Sequence, residues 1–170
     1  MEIGGQQLVP ASQADTWKAL NDTDILKRCI PGCESMEQLS ESQYQLQIRA
    51  RIGPVNAKFK GLMTLQDVNA PHGYKMVFEG QGGVAGFAKG QAAVDLVPEG
   101  ENSTRMSYTV KAMVGGKLAQ LGARLIDGVA RKLSDEFFTK FNAVMSGEKE
   151  GEAANAGTAA EGNVNTQGGA

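Results

Sequence analysis

Between residues 34 and 112 the chain alternates apolar and polar side chains with a period of two. In "YQLQIRARI" the even positions are Tyr44, Leu46, Ile48, Ala50 and Ile52, and the odd ones are Gln45, Gln47, Arg49 and Arg51. That pattern predicts a half-buried antiparallel strand with one wet face. Gly53-Pro54 turns the chain, and "VNAKFKGLMTLQDV" then sets Phe59, Gly61, Met63 and Leu65 on one side. "NAPHG" turns it again, and "YKMVFEG" aligns Tyr74, Met76 and Phe78. "AKGQAAVDLV" alternates through Ala92, Val94 and Leu96. After the turn "EGEN", "TRMSYTVKA" sets Thr104, Met106, Tyr108, Val110 and Ala112 against Arg105, Ser107, Thr109 and Lys111.

At both ends the period changes. "EIGGQQLVP" reads as a short strand ending at Pro10. Ala14, Trp17 and Leu20 follow at helical spacing, with Pro10 or Ser12 as the helix start. "DTDILKRCI" predicts a second short helix capped by Asp22 or Thr23 and stopped by Pro31-Gly32. From about Gly116 to Met145 one long helix is expected. Leu118, Leu121, Leu125, Val129, Leu133, Phe137 and Phe141 step by three or four along a single apolar stripe. The order is strand, two short helices, about six meandering strands, long helix. The arrangement that satisfies every apolar face is an α+β fold, a curved antiparallel sheet wrapped around the long C-terminal helix. Such a fold can leave a cavity between sheet and helix. Its expected lining is Met63, Met76, Phe78, Met106 and Tyr108 from the strands with Leu118, Leu121 and Leu125 from the helix. Gly122 leaves room, and Phe87 sits in the glycine-rich tip "GQGGVAGFAKG" as a gate or an inward-packed residue. Methionines tolerate a flat or flexible apolar guest, and the Tyr108 hydroxyl offers one hydrogen bond to a ligand carbonyl.

Composition and charge narrow the picture. The chain has 170 residues and a net charge of -2, which argues against a nucleic-acid binder. Residues 147–170 are Gly, Ala, Asn and Glu with almost no large apolar side chain. Such a tail cannot offset its ordering entropy and is expected to be disordered, which makes 1–146 the folded domain. The start "MEIGGQQLVP" lacks the basic and apolar runs of a signal peptide, and no stretch approaches a membrane span. A soluble, cytoplasmic protein is expected, in a compartment where a structural disulfide is disfavoured.

Candidate chemistry is sparse. The only cysteines, Cys29 and Cys33, flank an Ile-Pro-Gly corner, and the only histidine, His72, lies in a turn. Zinc needs about four N or S ligands, and the cysteine spacing is not that of a redox pair. The corner therefore reads as a helix stop, and no metal site is expected. No nucleophile–base pair or phosphate loop is visible, so no catalytic residue is assigned. Arg124, Arg131, Lys132 and Lys117 form a basic patch facing a lipid, a partner or water.

With these elements laid out, "LND", "LKRCIPGCES", "RIGPVNAKFKG", "AKGQAAVDL", "YTVKAMVGGKLAQLGARLI" and "FFTKF" resemble the CoxG family, which is named for carbon monoxide dehydrogenase. That family lies within the START-like, helix-grip (Bet v 1-like, SRPBCC) superfamily. The resemblance runs from Met1 to about Ser146, and "CIPGCE" with the "GxLAxLGxRL" pattern at Gly116–Leu125 is specific in combination. It implies a non-catalytic accessory protein without a covalent cofactor, partnered with a molybdenum-containing CO dehydrogenase-type hydroxylase. It further implies a hydrophobic ligand, a lipid or quinone, and recruitment of the enzyme to the cytoplasmic membrane or quinone pool. Some members of the family end in a membrane-spanning segment. Here the tail is polar and acidic, so the expected contact is peripheral. The alternative is a small START-like enzyme, cyclase- or hydrolase-like, on the same fold.

Overall fold

Seven strands carry the period-two pattern: β1 (Glu2–Val9), β2 (Cys33–Gln38), β3 (Gln43–Ile52), β4 (Val55–Asn69), β5 (Gly73–Gln81), β6 (Phe87–Gly100) and β7 (Ser103–Gly115). In the computed structural model, which describes residues 1–147, they form one sheet of order β1-β7-β6-β5-β4-β3-β2. Every neighbouring pair is antiparallel. The chain thus meanders from β2 to β7, and β1 joins the far edge beside β7. The disorder expected of the tail concerns residues that, from 148 onward, lie outside those described.

Between β1 and β2 run α1 (Gln13–Leu20) and α2 (Thr23–Cys29). Ser12 caps α1 by accepting from the Asp15 amide, and Asp22 caps α2 by accepting from Asp24 and Ile25. Each cap satisfies amides that a helix start leaves without intrahelical partners. The cysteine corner is the end of α2 and the start of β2. Gly32 has a φ of +75°, and a side chain there would run into the Arg49 carbonyl. The Arg49 amide in turn donates to the Gly32 carbonyl at 2.9 Å, which ties the corner to β3.

The expected single C-terminal helix is two. α3 (Lys117–Gln120) is one turn, and α4 (Ala123–Met145) is the long element. They part at Gly122, whose φ of +92° lies where side chains are rarely found. α4 packs against α2 and β1 and places Phe138 and Phe141 in a core with Val9, Leu20, Cys29, Leu96 and Met106. The buried stripe differs a little from the expected one: Ile126 and Phe138 are buried as well, whereas Leu125 and Leu133 are partly exposed. Among the described residues, no helix is long and apolar enough to cross a membrane.

Candidate functional site

Antiparallel pairing places the inward side chains of adjacent strands in rows. Tyr74, Val94 and Tyr108 stand opposite one another, as do Leu65, Met76, Ala92 and Val110. Tyr44 stands opposite Met63. Ala92 is a low point between Met76 and Val110, and α4 passes above. Val129, Leu133 and Phe137 of α4 face the rows across a cavity of about 440 Å³. That volume falls within the roughly 300–1,000 Å³ typical of small-molecule sites. Leu20 of α1, Leu26 of α2 and the corner Ile30-Pro31-Gly32 close one side. The second half of β3, Ile48 to Ile52, forms the rim next to it. β2 pairs β3 only as far as Ile48 and Gly32 holds the Arg49 amide, so the rim is an uncovered strand edge only beyond Arg49.

The wall is apolar apart from a few hydroxyls and the two arginines Arg49 and Arg51 at the β3 rim. Tyr44, Tyr74, Tyr108 and Ser134 supply the hydroxyls, and no Asp, Glu or His borders the space. Burial pushes the Tyr74 phenol up to about 12, with the neighbouring Tyr44 adding to the effect. Burial likewise raises Tyr44, and it raises Tyr108, where Asp135 adds to it and Arg131 opposes it. All three phenols are therefore neutral hydrogen-bond donors and acceptors at physiological pH. Trp17 stacks edge-on against Tyr74 at 5.7 Å, so the lone tryptophan sits directly behind the wall.

Met63, Met76, Met106 and Tyr108 of the expected lining border the cavity. The other six do not. Phe78 is in the row of Tyr44 and Met63 but lies one position beyond the wall, toward α3. Phe87 is on the opposite face of the sheet: Lys89 Nζ lies 6.0 Å from its ring centre, and the ring covers Gly115. Leu118 is buried where α3 meets β7 and the 3-10 turn Gly83–Ala85. Leu121 ends α3. Gly122 opens onto free space and serves the chain reversal rather than the cavity. Leu125 packs over Gly53, where an added Cβ would come within 2.8 Å of it. One cause unites these six placements. The cavity lies beneath the second to fourth turns of α4, whereas α3 and the first turn of α4 seal the end of the sheet.

The residues that sequence reasoning passed over are the hydroxyls of Tyr44 and Tyr74, the rim of β3 and the short-helix residues Leu20, Leu26 and Ile30. Their apolar spacing was readable; that α1 and α2 fold across the open side of the sheet was not. The cysteines behave as packing residues. Cys29 is fully buried, Cys33 Sγ donates to the Ser35 carbonyl at 3.3 Å, and burial raises both thiols. His72 Nδ1 accepts from the Gln13 side-chain amide nitrogen at 3.4 Å, joining α1 to the β4–β5 turn. Among the described residues, no three His, Cys, Asp or Glu side chains gather as metal ligands.

The family model for the carbon monoxide dehydrogenase protein CoxG matches residues 5–146. Among solved structures, a conserved protein from Geobacillus kaustophilus is 32% identical and superposes with a TM-score of 0.81, covering 87% of this chain and 97% of its own. A START superfamily protein from Mycobacterium smegmatis is 14% identical with a TM-score of 0.67, covering 85% and 97%. The Zhui aromatase/cyclase from Streptomyces sp. R1128 is 10% identical with a TM-score of 0.64, covering 90% and 96%. The last two share the fold, the helix-grip arrangement of the START and Bet v 1-like superfamily. No curated protein matches the chain.

Proposed function

The chain belongs to the CoxG family, and from that premise we propose that it holds an elongated apolar molecule, an isoprenoid quinone or similar lipid, beneath α4. In this reading it is an accessory to a molybdenum-containing CO dehydrogenase-type hydroxylase, which it helps bring to the inner face of the cytoplasmic membrane or into contact with the quinone pool. The observation that carries the reading is the cavity: 440 Å³ walled by methionines, aliphatics and aromatics, with phenols inside and Arg49 and Arg51 at its rim. An isoprene tail gains roughly 25 cal/mol for each Å² of apolar surface removed from water, before the costs of association. Met63, Met76 and Met106 adapt to its shape. The phenols offer hydrogen bonds to a ring carbonyl or headgroup oxygen. A wall without carboxylate or imidazole holds a guest and offers no acid–base pair to transform it, so we favour a carrier over a cyclase- or hydrolase-like enzyme.

The test is a titration of the purified chain with a short-tailed quinone, read by quenching of Trp17 and by calorimetry. Mass spectrometry of molecules co-purifying with the chain accompanies it. Saturable binding is expected for the wild type. Ala92→Phe, which fills the low point of the floor, is expected to weaken binding at least tenfold while leaving the circular dichroism unchanged. Absence of saturable binding, or equal binding by a folded Ala92→Phe, would overturn the reading.

A further inference from the structure

The ends of the sheet carry opposite charge. At one end β3 turns into β4, β5 turns into β6, and β7 runs into α3 and α4. The three segments 49–60, 79–90 and 111–124 that build this end hold Arg49, Arg51, Lys58, Lys60, Lys89, Lys111, Lys117 and Arg124 against the single acid Glu79. At the other end, the segments 35–43, 66–75 and 95–105 hold six acids against Lys75 and Arg105. Some of the cations are engaged. Glu34 pairs with Arg49 at 3.1 Å and Lys58 at 3.2 Å, and Glu2 approaches Lys111 at 4.0 Å. Arg51, Lys60, Lys117 and Arg124 are exposed and form no ion pair among the described residues.

From the middle of this basic end projects an apolar tip. Val84, in the 3-10 turn Gly83–Ala85, is 87% exposed. Its neighbour Ala85 is buried, so the turn is anchored by one residue and presents the next. The loop is held in place: a side chain on Gly86 would collide with the Gly115 carbonyl, and one on Gly116 with the Gly86 backbone. Lys60 is paired with Gln81 just before the tip, and Lys117 follows Gly116. Cations therefore surround the tip on separate segments. Met1, Met113 and Leu125 are further exposed apolar side chains at this end.

We propose that this end docks on an anionic lipid surface, with Val84 entering the interfacial layer and Arg51, Lys60, Lys117 and Arg124 meeting phosphate headgroups. The inference rests on the membrane destination proposed above and assigns it a surface. A protein partner suits the end less well, because stable protein interfaces bury a contiguous apolar core of several hundred Å² per side. Here isolated apolar points stand among unpaired cations spread over several segments, the pattern that a flat, diffuse negative charge attracts. The β3 rim of the cavity, at Arg51 and Ile52, lies at this same end.

Flotation of the full chain with vesicles of phosphatidylcholine alone, and of phosphatidylcholine mixed with phosphatidylglycerol, tests the proposal. Binding to the mixed vesicles only, and its release by salt, is expected. Lys60→Glu with Lys117→Glu should lower partitioning roughly tenfold or more, and Val84→Asp should lower it further. Lys75→Glu, at the acidic end, should leave it unchanged. No flotation with mixed vesicles, equal flotation with neutral ones, or undiminished flotation of the reversed variant would overturn the proposal. So would a reversed variant that still floats but loses a protein partner, which would make this end a protein interface. The quinone titration of the wild-type chain, set beside its flotation, keeps the two readings apart. Saturable binding with failed flotation removes only the docking surface, and flotation without quinone binding removes only the cavity.

Discussion

Tyr74 concentrates the chemistry of the cavity in one side chain. Its ring braces Trp17 on one side, and burial holds its phenol protonated up to about 12, against an ordinary value of 10.0. The folded state therefore keeps a proton that the unfolded chain releases near pH 10. The sign follows from linkage: this contribution is complete below pH 10 and is lost as pH rises to about 12. By the top of that window the loss amounts to roughly 2–3 kcal/mol. Urea unfolding at a series of alkaline pH values should show this fall for the wild type and a flatter profile for Tyr74→Phe. Identical profiles would mean that the phenol is not held in an apolar wall. A bound ligand that hydrogen-bonds the phenol should move its ultraviolet titration.

At the level of the element, two glycines of similar appearance have opposite roles. Gly122 sits between α3 and α4 with a φ of +92°, whereas Gly128 is an ordinary position inside α4 with nothing near a would-be Cβ. Gly122→Ala should destabilise by about 1 kcal/mol, through the cost of a left-handed side-chain residue. Gly128→Ala should stabilise by about 0.5–1 kcal/mol, through better helix propensity. Thermal unfolding should move by roughly 2–4 °C in opposite directions; shifts of the same sign would refute the assignment. Both glycines read alike in the sequence, because the leucine spacing from Leu118 to Leu125 carries straight across Gly122. The caps were legible because Ser12 and Asp22 act locally. The break was not, because a left-handed residue leaves no mark on hydrophobic period.

Across the whole molecule, alternation in residues 43–112 was enough to read which side of each strand faces inward, and Met63, Met76, Met106 and Tyr108 followed from it. The level at which the helix stands away from the sheet is a different kind of information. It depends on where α3 plugs the end, with Leu118 and Ala85 buried, and on Leu125 resting over Gly53. These contacts join segments about 30–70 residues apart and have no local signal. The charge segregation lay in the sequence too, but scattered over six segments that only the antiparallel meander gathers at two poles.

The space beneath α4 makes this molecule compressible. Unfolding removes internal voids, so any part of the 440 Å³ apolar cavity that water leaves unoccupied should make the chain shrink in volume on unfolding more than a fully packed chain of its size. Hydrostatic pressure should therefore unfold the empty form readily. A guest that fills the void should raise the midpoint pressure beyond what its binding affinity alone explains. Trp17 emission under pressure, with Ala92→Phe beside the wild type, would measure this. The filled-in variant should resist pressure better than the wild type even if its thermal stability is lower.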